Sequence, residues 1–139
     1  MPLQIAEKWF EIRRVDDDIT HLWEPYADPY VQCNIWHVRG RDRDLLIDTG
    51  LGLASLHDAT RHLIDKPVDA VATHTHFDHV GCHHEFENRI VHAAEAHLLR
   101  NPDPATLDGR IHRKDLEDTG YEVPDLLITH APCAAFDCG

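Results

Sequence analysis

The chain begins with short segments in which large apolar side chains alternate with polar ones. These are Trp-Phe-Glu-Ile-Arg-Arg over 9–14, Asp-Ile-Thr-His-Leu-Trp over 18–23 and Cys-Asn-Ile-Trp-His-Val-Arg-Gly over 33–40, separated by Asp clusters and a Pro-containing stretch. Period-two alternation in β-branched and aromatic residues predicts strands buried on one face. A fourth run, Leu-Leu-Ile-Asp at 45–48, reads as a buried strand fed by that meander. After Asp48-Thr49-Gly50 the period changes: Leu53, Leu56, Leu63 and Ile64 fall on one helical face, and Lys66-Pro67 ends the pattern. Val-Asp-Ala-Val-Ala-Thr-His, 68–74, is a second buried strand. Strand, helix and strand with short connections predict a βαβ unit, with 43–48 and 68–73 parallel in one sheet. Their C-terminal loops then share the edge where such sheets hold ligands.

Arg-Ile-Val-His at 89–92 predicts a third strand of this kind, followed by a helix over 93–100 that stops before Asn101-Pro102. Residues 101–139 contain Pro102, Pro104, Pro124 and Pro132 and one apolar run, Leu126-Leu127-Ile128, which predicts loop with one helix around 110–118.

Length and composition narrow the class. A chain of 139 residues with 42% hydrophobic and 27% charged residues fits one domain, 1–139, and has no apolar run of membrane-spanning length. The first fourteen residues lack the uninterrupted apolar stretch of a secretory signal, so the expected location is cytoplasmic. A net charge of −12 argues against a nucleic-acid partner. Cys33, Cys82, Cys133 and Cys138 lack CxxC spacing and read as free thiols. The thirteen histidines are the anomaly.

Three of those histidines stand in Thr-His-Thr-His-Phe-Asp-His-Val-Gly, 73–81. His74 and His76 are two apart, so in an extended segment both rings project from one side, as ligands of one ion must. Asp78 and His79 follow where the chain turns, aimed at a second ion a few ångströms away. Imidazole with carboxylate suits Zn2+, with Fe or Mn as alternatives. Gly81 lets the backbone leave the crowded loop. Asp48, ending the preceding strand, reads in two ways: it stands behind the ligand loop and orients it, or it caps the helix near Leu53.

Leu-Leu-Ile-Asp-Thr-Gly-Leu-Gly followed by Thr-His-Thr-His-Phe-Asp-His-Val-Gly resembles the first two motifs of the metallo-β-lactamase-fold hydrolases, and the likeness over 30–100 points to an acyl-coenzyme A thioesterase-like branch. The resemblance implies an α/β fold, the N-terminal half of an αββα sandwich. It implies that His74 and His76 hold a first metal and Asp78 and His79 a second, and that Asp78 serves catalysis by positioning a metal-bound hydroxide. Two zinc ions per complete site are implied, as is a small-molecule thioester or ester substrate, because paired divalent ions activate water and stabilise the developing oxyanion. The family completes its site with a histidine in a Gly-His-x-x-Gly loop, a later aspartate and a final histidine. No Gly-His dipeptide occurs here, and His130 sits before Ala-Pro-Cys rather than glycine. The second half of the sandwich is therefore expected to be missing, leaving one sheet face uncovered and prone to self-association. The competing reading is a non-catalytic metal-binding domain without the later ligands.

Weaker features have two readings each. Arg39, Arg41 and Arg43 meet a coenzyme phosphate or form a solvated hairpin paired with Asp42 and Asp44. Trp23, Trp36 and Tyr30 line an acyl pocket or belong to the core. Cys82 is a thiol near the metals or a small buried filler. His83 and His84 read as bystanders.

Overall fold

A computed structural model describes residues 6–101 and the backbone of 134–136. The expected helix around 110–118 and His130 lie outside the described residues.

The meander forms as its alternation requires. Strands β1 (Glu11–Arg14), β2 (Ile19–Trp23), β3 (Ile35–Val38) and β4 (Asp44–Ile47) are antiparallel neighbours. From β4 onward the pairing is parallel, through β5 (Val68–Ala72) and β6 (Asn88–His92) to β7 (Ala134–Phe136). Among the described residues the result is one mixed seven-stranded sheet whose spatial order equals its chain order. Its register places Leu22, Ile35, Leu46 and Ala70 on one face, all fully buried, where Leu53, Leu56 and Phe86 join the same core. On the other face Ile19, His21, Trp23, Trp36, Val38, Leu45, Ile47, Val71 and Ile90 are all half-buried. His21 is stacked there between Trp23 and Trp36, at centroid distances of 4.8 and 4.5 Å.

Two expectations are corrected. The long helix predicted from Leu53 to Ile64 is a single turn, α1 (Leu56–Ala59), capped by the Ser55 hydroxyl. Thr60 stops it: its Oγ1 donates to the Leu56 carbonyl at 2.8 Å, and a second turn hangs from the Thr60 carbonyl, which accepts from Leu63 and Ile64. The apolar spacing was real, but it serves two successive turns. Strand β7 was not expected within a tail read as loop and helix. Ala-Ala-Phe has little strand propensity of its own and is a strand because it pairs with the exposed edge of β6.

The predicted helix over 93–100 begins as a 3-10 turn (Ala93–Glu95), capped by His92 Nδ1, and continues as α3 (Ala96–Arg100).

Candidate metal centre

The loop that carries His74, His76, Asp78 and His79 follows the C-terminal end of β5, beside that of β4, as the βαβ reading requires. The strand stops at Ala72 and the chain bends at Thr73 and His74, rather than running on as the extended segment expected from the alternation. Thr73 and Thr75 face the scaffold, where Thr73 donates from its amide and hydroxyl to Asp48 at 2.8 and 2.7 Å. Thr75 donates to Glu95 Oε1 from amide and hydroxyl at 3.3 and 3.1 Å. His74 and His76 consequently turn to one side together, their ring centroids 4.6 Å apart. The one-turn helix α2 (Phe77–Val80) follows, with His76 extended at its N-cap and the His79 amide bonded to the His76 carbonyl. This turn carries Asp78 and His79 back toward the first pair: the His79 ring lies 4.1 Å from that of His74, and His79 Nε2 lies 3.4 Å from Asp78 Oδ2.

Asp48 is buried behind this cluster and does not cap α1, a task Ser55 performs. Its Oδ2 accepts from His79 Nδ1 at 2.8 Å as well as from Thr73 Oγ1. The Thr73 hydroxyl has one proton, and that proton goes to the carboxylate. His74 Nδ1, 2.9 Å from the same oxygen, must therefore donate to it. One carboxylate thus fixes two imidazoles as Nδ1–H tautomers, directly for His79 and through Thr73 for His74. Nε2 is then the ring nitrogen that each turns away from Asp48, and that of His79 faces Asp78 Oδ2.

The donor chemistry fits a divalent ion of the zinc class, but not all donors converge equally. Among the described residues, the group of three whose donor atoms lie within 4.8 Å of one another is Cys33, Asp48 and His79. Cys33 Sγ sits 3.5 Å from His79 Nδ1. Burial pushes this thiol upward, and the nearby Asp48 charge adds to the shift, so Cys33 faces the ring as a neutral neighbour. Neither Cys33 nor Glu95 was singled out from sequence. Cys33 lies in a strand pattern that gives a thiol no special role, and Glu95 in a helix-like run where an acid reads as solvent-facing.

Gly81 is needed for a different reason from the one expected. Its φ of −58° suits any residue, but a Cβ would lie 2.1 Å from the Leu51 carbonyl carbon, so close approach of two backbones requires glycine. Cys82 is fully buried, and its thiol donates to the Ala54 carbonyl at 3.3 Å, the filler reading. His83 is buried with Nδ1 2.8 Å from Thr49 Oγ1, and burial lowers its pKa from 6.5 to about 4. Arg39, Arg41 and Arg43 stand on the β3–β4 turn, at the opposite sheet edge from the ligands. Arg41 pairs with Asp42 and Arg43 with Asp69, whereas Asp44 is buried against His37, Gly40 and Lys66 instead of an arginine. Tyr30 is 94% exposed. A cleft of about 560 Å³ lined by Thr60, Arg61, Lys66 and Glu87 contains none of the ligand residues.

The sheet thus sets an Asp-Thr-Gly loop beside a His-x-His-x-Asp-His turn. The model of the Metallo-beta-lactamase superfamily matches residues 28–131, and the chain belongs to that family. Among curated proteins it is similar to the acyl-coenzyme A thioesterase MBLAC2 of Homo sapiens, at 37% identity over 70% of this chain and 39% of the relative. The Gallus gallus protein of that name is 42% identical with the same coverage. The chain therefore spans about two fifths of the length of these relatives. Among solved structures, a metallo-beta-lactamase from Pontibacter korlensis aligns with a TM-score of 0.57 at 18% identity, covering 67% of this chain and 48% of that one. The DIM-1 metallo-beta-lactamase exposed to ceftazidime aligns at 0.55 and 18%, covering 69% and 48%. These likenesses establish the fold, and the chain corresponds to the N-terminal part of it. Among the described residues no helix is long and apolar enough to cross a membrane.

Proposed function

We propose that this chain carries the N-terminal ligand set of a binuclear metal-dependent hydrolase acting on a small-molecule thioester of the acyl-coenzyme A type. The observation that carries the metal part is the double use of Asp48, which engages Nδ1 of His79 directly and Nδ1 of His74 through Thr73, leaving Nε2 of each ring turned away from it. The substrate class rests on the thioesterase relatives. In this reading His74 and His76 hold one ion, Asp78 and His79 hold the second, and Asp78 positions the attacking water. Bound zinc ions would supply Lewis-acid activation of water and of the thioester carbonyl. The chain's own residues do the rest: Thr73 and Thr75 fix the loop, Asp48 and Cys33 close the back of His79, and Asp78 stands beside His79 at the open side.

Residues that complete the coordination in the family have no counterpart motif in this sequence, so the chain alone is expected to bind zinc weakly and to turn over nothing. The test is zinc titration and acyl-coenzyme A hydrolysis by the 139-residue chain and by His76→Ala. Expected are weak zinc binding, a further loss in His76→Ala, and no hydrolysis by either. Zinc-dependent turnover by the unmodified chain would overturn the dependence on further ligands. Equal zinc affinity in His76→Ala would overturn the ligand assignment.

A further inference from the structure

Behind the Asp48–Leu51 loop stands an acid that its sequence context does not explain. Glu24 follows β2 directly and is fully buried. Its Oε2 accepts from Trp9 Nε1 at 2.7 Å, and its Oε1 accepts from the Leu51 amide at 2.8 Å. Gly50 packs directly on it: a Cβ there would lie 2.3 Å from Glu24 Oε1. A carboxyl with two neutral donors is an inefficient way to fill a core, since an apolar side chain of the same volume avoids its desolvation. Its placement asks for another reason.

That reason is the shape of the loop. Asp48, Gly50 and Gly52 all have positive φ, at 61°, 75° and 77°. For a non-glycine residue such as Asp48 this conformation is strained, and it persists only where the surroundings impose it. At its own end the loop is held by the Asp48 bonds to Thr73 and His79. At the far end it is held by Glu24. Between these ends the loop is stitched to the ligand turn, with the Thr49 amide donating to the His79 carbonyl and the Gly81 amide to the Gly50 carbonyl, both at 2.8 Å.

We propose that Glu24 is a positioning residue for the metal-ligand turn: by gripping the Leu51 amide in the space left by Gly50, it holds the loop in its left-handed course and so holds Asp48, His79 and His74 in ligating orientation. The proposal rests on the ligand assignment above. Glu24 touches no ligand, and acts through the backbone of residues 48–51.

Substitution by glutamine separates this role from simple core filling. An amide offers one acceptor oxygen and one donor group, so in Glu24→Gln either Trp9 Nε1–H or the Leu51 amide faces an NH2. Trp9→Phe removes one of the two competing donors, so the amide oxygen of Glu24→Gln/Trp9→Phe is free to serve Leu51. Phe86→Leu, in the same core but outside the loop contacts, serves as a control for lost stability.

The experiment measures zinc affinity, thermal stability and, without metal, hydrogen exchange of residues 76–82 in the full 139-residue chain and these variants. Glu24→Gln is expected to weaken zinc at least about tenfold, the usual scale for residues that orient ligands, and to speed exchange in 76–82. The double variant is expected to bind no worse than Trp9→Phe alone, a coupling that general destabilisation does not produce. Phe86→Leu is expected to lose stability and keep its zinc affinity. Parent-like affinity and exchange in Glu24→Gln would overturn the proposal, as would an equal affinity loss in Phe86→Leu. If the parent binds no zinc the ligand assignment fails, and exchange in 76–82 still decides the role of Glu24.

Discussion

Two buried groups should tilt the pH dependence of stability in opposite directions and hide one another. Burial raises Glu24 from 4.5 to about 7, partly offset by its bonds from Trp9 and Leu51, with the Asp78 charge adding to the rise. Between those two values the unfolded chain has released the proton while the native state keeps it, so stability falls as pH rises. His83 behaves conversely. Burial lowers it from 6.5 to about 4, so between those values the unfolded chain holds a proton that the native state lacks, and stability rises with pH. Each shift corresponds to about 3 kcal/mol, or about 1.4 kcal/mol per pH unit inside its window. The windows overlap from the 4.5 of an ordinary glutamate to the 6.5 of an ordinary histidine, and there the two slopes cancel. Urea unfolding of the metal-free chain across this range should show a flat contribution from the pair. Glu24→Gln should unmask a rise of about 1.4 kcal/mol per unit and His83→Gln a fall of the same size. Slopes unchanged from the parent in both variants would refute the reasoning, because neither group would then titrate differently on folding.

Further outcomes follow from the same contacts. Asp48→Asn leaves one acceptor oxygen for three donors, and calorimetric titration should show zinc binding weakened by about 10–100-fold. Gly81→Ala drives a Cβ into the Leu51 backbone, which has no side chain to move aside, and should lower stability by about 3 kcal/mol in thermal unfolding. The half-buried face carrying Trp36, Leu45 and Ile47 should make the isolated chain self-associate, and sedimentation at micromolar concentration showing a stable monomer would count against an uncovered face.

Local pattern determines strands β1–β6 of this sheet. Alternation gave β1–β3, and the apolar runs before Asp48 and Thr73 gave β4 and β5 with the direction of their pairing. The spacing of His74, His76, Asp78 and His79 pointed to one cluster; the structure sets the His74 ring beside those of His76 and His79, and His79 beside Asp78, while the three donors that lie within 4.8 Å of one another among the described residues are Cys33, Asp48 and His79. What was illegible depends on partners distant in the chain. Glu24 reads as a polar residue ending a strand, because nothing nearby reveals that Trp9 and Leu51 meet it. Thr60 reads as part of a helix, since its back-bond to Leu56 competes with the spacing only in three dimensions. The tautomers of His74 and His79 depend on a hydrogen-bond relay that requires Asp48 at a positive φ, which a strand ending in Asp-Thr-Gly permits but does not dictate.

The identity of chain order and spatial order in the sheet bears on how the molecule is made. Among the described residues each strand pairs with the one before it in the chain, so that part of the sheet grows by addition at a single edge. Loop closures between successive pairings are short in β1–β4, which favours early formation of the meander during synthesis. The described residues that steady the His74–His79 turn, from Trp9 to Glu95, have then been made before the chain reaches residue 100. At that stage β6 is paired with β5 alone, and among the described residues it is Ala134–Phe136 that later adds to its other edge.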